Sequence, residues 1–131
     1  MTRRLAVTSP DLAAELAVRL NEVAPDGFTV EAESTYVSVR HLGERVGSSG
    51  AAEFMESIEG IEDPADTLQR AAWAVLDTVQ DYFADISTEP WPDRQMSGPV
   101  VQLTGNVLEM WFGERNDAVL TLRPLNIADL H

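Results

Sequence analysis

The chain has no cysteine, no lysine and only two histidines. Without cysteine there is no disulfide framework, no thiolate nucleophile and no cysteine-ligated zinc. Its nine basic residues, all arginine, face 22 aspartates and glutamates, for a net charge of −13. A surface so acidic repels phosphate backbones, so nucleic acid is not an expected partner. Nor is a membrane, because no apolar run approaches the length of a span. After Arg3 and Arg4 come only Leu5, Ala6 and Val7, too short for a signal peptide. A cytoplasmic protein is expected.

The shortage of histidine limits chemistry as well. His131 is terminal, so a Ser–His–Asp arrangement would have to use His41, near Ser48 and Ser49, without a nucleophile elbow. Carboxylates are too numerous for any pair of them to be informative. No metal-ligand spacing and no aromatic–basic platform for bases is present. The expectation is therefore no catalytic residue, no cofactor and no metal, with an enzyme the weaker reading.

What is abundant is apolar patterning. At 131 residues and 44% hydrophobic content, one domain spanning 1–131 can bury a core without staples. The chain is organised around the stretch from Asp63 to Pro90. Asp63 is a candidate N-cap, Pro64 suits the first helical position, and Asp66 completes a capping-box-like spacing. Leu68, Ala72, Val75, Leu76, Val79, Phe83 and Ile86 recur at three- and four-residue steps, widened by Ala71 and Tyr82, which predicts one long helix with a buried stripe. Trp73 projects off that stripe near Gln69, Asp77 and Gln80. Asp77, Asp81 and Asp85 follow at four-residue spacing as an acidic ridge. Each such like-charge pair costs about 0.2–0.5 kcal/mol; the ridge is either a solvated face or a surface for a cationic partner.

An earlier helix is expected from Ser9-Pro10, with Leu12, Ala13, Leu16, Leu20 and Val23 on its apolar side and Ala24-Pro25-Asp26-Gly27 ending it. The period then changes to two. Phe28, Val30 and Ala32 mark one strand; Val37 and Val39, against Tyr36, Ser38 and Arg40, mark a second, together a hairpin. Gly43–Gly50 reads as a mobile loop, lacking the Lys-Ser/Thr ending of a phosphate-binding loop. Ala51–Ile61 reads as a short helix with a solvated acidic face.

Beyond the long helix, Trp91 lies between Pro90 and Pro92, and its bond to Pro92 is a candidate for cis. The residue reads as a lid on the core or, if exposed, as an interface anchor. Val100–Thr104, the hairpin signal Gly105-Asn106, Val107–Phe112 and Ala118–Arg123 form a meander. Leu108, Met110 and Phe112 share one face, and Trp111 with Val119 makes the other unusually apolar. Leu125–Leu130 is left as a helical turn or an extended tail. The expected fold class is α+β, in the order α-β-β-α-β-β-β: an antiparallel sheet of about five strands with helices packed on one face.

The strings WAVLDTVQDYF (Trp73–Phe83), TEPWP (Thr88–Pro92) and LEMWFGERNDAVLTLRPL (Leu108–Leu125) resemble those of small uncharacterised proteins of high-GC Gram-positive bacteria. The resemblance brings no activity and no functional residue. The order of elements is similar to roadblock/longin domains and, more loosely, to type III secretion chaperones, which implies dimerisation or partner binding. Function is therefore expected to lie in protein interaction: a homodimerising module with an acidic surface for a basic partner. Its candidate residues are Trp73, Asp77, Asp81, Asp85, Trp91 and Trp111. The alternative is a ligand-binding or enzymatic domain with a pocket between the long helix and the sheet, lined by Tyr36, Arg40 and His41.

Overall fold

In the computed structural model, which describes residues 9–34, 36–50 and 64–127, two helices and seven strands form an α+β fold. In chain order they are α1 (Ser9–Val23), β1 (Phe28–Glu33), β2 (Tyr36–His41), β3 (Glu44–Gly50), α2 (Pro64–Ser87), β4 (Pro99–Thr104), β5 (Val107–Glu114), β6 (Asp117–Thr121) and β7 (Leu125–Asn126). All pairing is antiparallel. The helices pack on sheet as expected, and the strands divide between two sheets. Sheet A has the order β1-β2-β3; in sheet B, β5 pairs with β4 on one side and with β6 and β7 on the other.

The stretch Gly43–Gly50, expected to be a loop, is instead largely strand β3. Glu44 pairs with His41, Ser48 with Ser38 and Gly50 with Tyr36. Among its residues only Val46 is a large apolar side chain, so alternation gives no signal. Gly47 is required for a different reason: a Cβ there would fall inside the ring of Tyr82. The glycine brings the backbone against a ring from α2. The short helix expected over Ala51–Ile61 and the cap expected at Asp63 lie outside the described residues. Of the last segment, Leu125–Asn126 form β7 and Ile127 is buried, while residues 128–130 lie outside the described residues.

One core joins both sheets. Leu12, Leu16 and Leu20 of α1 and Leu68, Val75, Leu76, Val79 and Phe83 of α2 are fully buried with Val37, Val39, Leu108 and Phe112. These are the stripes expected from the spacing. At the stripes' ends the pattern fails, since Ile86 and Ala32 are exposed beyond the packed surface. A string of aromatic contacts crosses the core: His41 on Phe28 (ring centroids 4.5 Å apart), Phe28 on Phe83, Phe83 on Trp91 and Trp91 on Phe112 (5.0 Å).

The helices also hydrogen-bond the main chain at the outer margin of each sheet. On α1, Asn21 Oδ1 accepts the N–H of Val30 in β1 at 3.0 Å. Arg19, 4% exposed, donates to the carbonyls of Arg123 and Pro124 between β6 and β7, at 2.7 and 3.0 Å. On α2, the Tyr82 hydroxyl donates to the Ser48 carbonyl of β3 at 3.3 Å. Gln69 Oε1 accepts the N–H of Leu103 in β4 at 2.8 Å, and Trp73 Nε1 donates to the Pro99 carbonyl at 3.0 Å. Each helix thus ties one margin of sheet A to one margin of sheet B. Edge strands otherwise present unpaired main-chain groups to any passing strand.

Candidate functional site

The outer face of α2 carries the acidic ridge. At ~100° per residue, Asp66, Arg70, Asp77, Asp81 and Asp85 fall on the arc away from the buried stripe. Asp66 and Arg70 form an i,i+4 ion pair at 3.0 Å, which balances the charge near the helix start. Farther along there is no such balance: among the described residues no arginine pairs with Asp77, Asp81, Asp85 or Glu89. Partial burial, and after it the Asp81 carboxylate one turn on, push the Asp77 carboxyl above its ordinary range.

Asp81 and Asp85 line an open groove of about 620 Å³ with Ala84, Thr88, Glu89, Pro90 and Met96. Three carboxylates, those of Asp81, Asp85 and Glu89, line it, and the exposed Met96 supplies an adaptable apolar wall. Chemically, this groove suits a cation on a flexible apolar stem. Among the described residues no three histidine, aspartate or glutamate side chains are grouped to hold a metal ion, and no helix is long and apolar enough to cross a membrane.

The three tryptophans have different surroundings. Trp73 is 45% exposed, but its indole N–H is bonded to Pro99. It borders a second open groove, of about 460 Å³, with Asp66, Gln69, Arg70 and Val101. Trp91 lies partly buried between the rings of Phe83 and Phe112, the lid arrangement, and its bond to Pro92 is cis. Trp111 is on the face of sheet B opposite Phe112 and only 7% exposed, and its N–H has no hydrogen-bond partner among the described residues. Val100, across β4 from Trp111, and Val119 are exposed. The tryptophans therefore form no common exposed surface.

Among the described residues, Tyr36, Arg40 and His41 line neither of these two grooves. Tyr36 is exposed, Arg40 pairs with Glu31 at 2.9 Å, and His41 stacks on Phe28. The groove between α2 and β4 uses other residues. On the outer face of sheet A, the buried Ser38 hydroxyl donates to Glu33, and Arg45 lies 3.5 Å from the same carboxylate. That hydrogen bond first, then the charge of Arg45 and, least, that of Arg40, hold the Glu33 carboxyl below its ordinary range against the opposing effect of burial.

Arg19 and Gln80, both buried, were not singled out from the sequence. Gln80, 3% exposed, donates to the carbonyls of Trp91 and Ser97, at 3.0 and 2.9 Å, and fixes the connector leading to β4. The signal was available. Arg19 lies seven residues after Leu12, on the stripe of α1, and Gln80 four after Leu76, at the margin of the stripe of α2 toward Trp73, where a polar group that becomes buried needs a partner.

Comparison with protein-family models, with curated proteins and with solved structures gave no match.

Proposed function

We propose that this domain acts by protein interaction, docking a basic segment of a partner along the outer face of α2. The observation that supports this most is the groove beside Met96, lined by Asp81, Asp85 and Glu89, none of which pairs with an arginine among the described residues. A Lys- or Arg-bearing segment would relieve the repulsion along the ridge and lay its aliphatic stems against Met96. Long-range attraction from the net charge of −13 would speed the encounter. Trp73, with part of its ring exposed, flanks the upper end of this face. In the same reading, a homodimer would bury the outer face of sheet B, where Val100 and Val119 are exposed beside Trp111.

Fluorescence anisotropy of a labelled arginine-rich peptide tests the docking face. Binding should weaken steeply as salt rises and should fall severalfold in Asp81→Asn/Asp85→Asn. Binding that ignores both salt and the substitutions, or no binding, would dispose of this face as the site. Light scattering on the protein and a tagged pull-down from native lysate then report self-association and the natural partner.

A further inference from the structure

Strand β4 is the outer strand of sheet B, and the direction of its main chain can be read residue by residue. The carbonyl of Gly98 accepts the N–H of Gly113 in β5 at 3.0 Å, so residue 98 faces the sheet. Alternation along an antiparallel strand then turns residues 100, 102 and 104 toward β5, and 99, 101 and 103 away from it. The side-chain bonds agree independently, since the groups that α2 reaches are the Pro99 carbonyl and the Leu103 N–H. Pro99 itself fits this direction: its nitrogen, which has no hydrogen, lies on the side where the sheet asks for none.

The two groups that α2 holds are a matched pair. A second copy of β4, run antiparallel about a two-fold axis at Val101, would set each Leu103 N–H against the Pro99 carbonyl of the other copy. Val101 would pair with its own counterpart at the centre. Such a strand would have to enter the groove bordered by Asp66, Gln69, Arg70, Trp73 and Val101. Gln69 and Trp73 now reach across it to the donor and the acceptor, in that order, that the pairing would need.

We infer that the outer edge of β4 is a latent self-pairing surface, and that Gln69 and Trp73 are the guards that keep it closed against a second copy of this chain. The guards work by satisfying the Pro99 carbonyl and the Leu103 N–H, not by bulk alone. Nothing about the acidic groove enters this inference.

The test is the solution mass by light scattering over a concentration series. Gln69→Ala/Trp73→Ala should double the mass relative to wild type at the same concentration. Adding Val101→Pro, which removes an outward N–H at the axis, should return it to the wild-type value. Val101→Pro alone should leave mass and circular dichroism unchanged, because that N–H does not serve the pairing with β5. If the double variant misfolds, Gln69→Ala/Trp73→Phe keeps an aromatic ring in place, lacks both guarding bonds and should show the same doubling. A folded variant that keeps the wild-type mass, or a doubling that Val101→Pro does not reverse, would overturn the inference. Unfolding by Val101→Pro alone, with Val101→Ala folded despite losing the same packing, would do so too, since it would place that N–H in the pairing with β5.

Discussion

The two strand edges that α2 covers, β3 and β4, are closed by different physics. At β3 the closure is one of shape: the ring of Tyr82 lies against Gly47, with a long hydrogen bond to Ser48. At β4 the closure is one of hydrogen bonding: Gln69 and Trp73 hold main-chain groups at 2.8 and 3.0 Å, and Gln80 holds the connector before the strand. The difference shows that one helix can protect two edges without one recurring motif. It also fixes how each edge should fail. A shape closure breaks when a single methyl is added, whereas a hydrogen-bonded closure breaks when polar atoms are removed.

The largest effect is expected at the shape closure. Gly47→Ala forces its new Cβ into the Tyr82 ring and should cost about 3 kcal/mol in urea unfolding, as overpacked sites do. Combining it with Tyr82→Ala should recover part of that cost, and strictly additive losses would mean that the ring is not what excludes a side chain.

Next comes the buried amide of the β4 side. Gln80→Leu keeps the volume but leaves the carbonyls of Trp91 and Ser97 without their donor, a loss of about 2 kcal/mol by the same measurement. Trp73→Phe removes one partly exposed bond and should cost only about 1 kcal/mol. If Trp73→Phe proved costlier than Gln80→Leu, packing of the indole rather than its N–H would be holding β4.

The contrast between the edges also decides what could be read from the sequence. The stripes of α1 and α2, the Gly105-Asn106 hairpin and the alternation of Leu108, Met110 and Phe112 were legible, because each repeats the period of its own element. Strand β3 was not, because pairing with β2 and the close approach of Tyr82 hold it, and neither leaves a period in GERVGSSG. Trp73 was visibly off the stripe, but its acceptor, the carbonyl of Pro99, lies 26 residues away and leaves no trace in side-chain pattern. The acidic ridge was legible as spacing. Its groove was not, because Met96 reaches it through the irregular connector after Pro90.

The smallest expected effect lies on the face of α2 that closes no edge. Asp77 has a folded-state pKa raised by burial and by Asp81, so the folded form holds its proton more tightly than the unfolded form. The stability this gives is complete below the ordinary value of 3.8 and is lost as pH rises through the raised folded value. Asp77→Asn should therefore stabilise the protein by about 0.3 kcal/mol at neutral pH, with the gain vanishing in acid. Denaturant unfolding at neutral and acid pH checks this, and a loss at neutral pH would show that the carboxylate makes a favourable contact.

The central claim is that side chains of the helices close the sheet edges through specific main-chain bonds. Amide hydrogen exchange at Leu103 tests it most directly, by comparing wild type with Gln69→Ala under native conditions. The account predicts a protected Leu103 amide in wild type that exchanges at least about tenfold faster in the variant, while Leu108 and Phe112 in β5 stay unchanged. An equal Leu103 rate in the two proteins would contradict it.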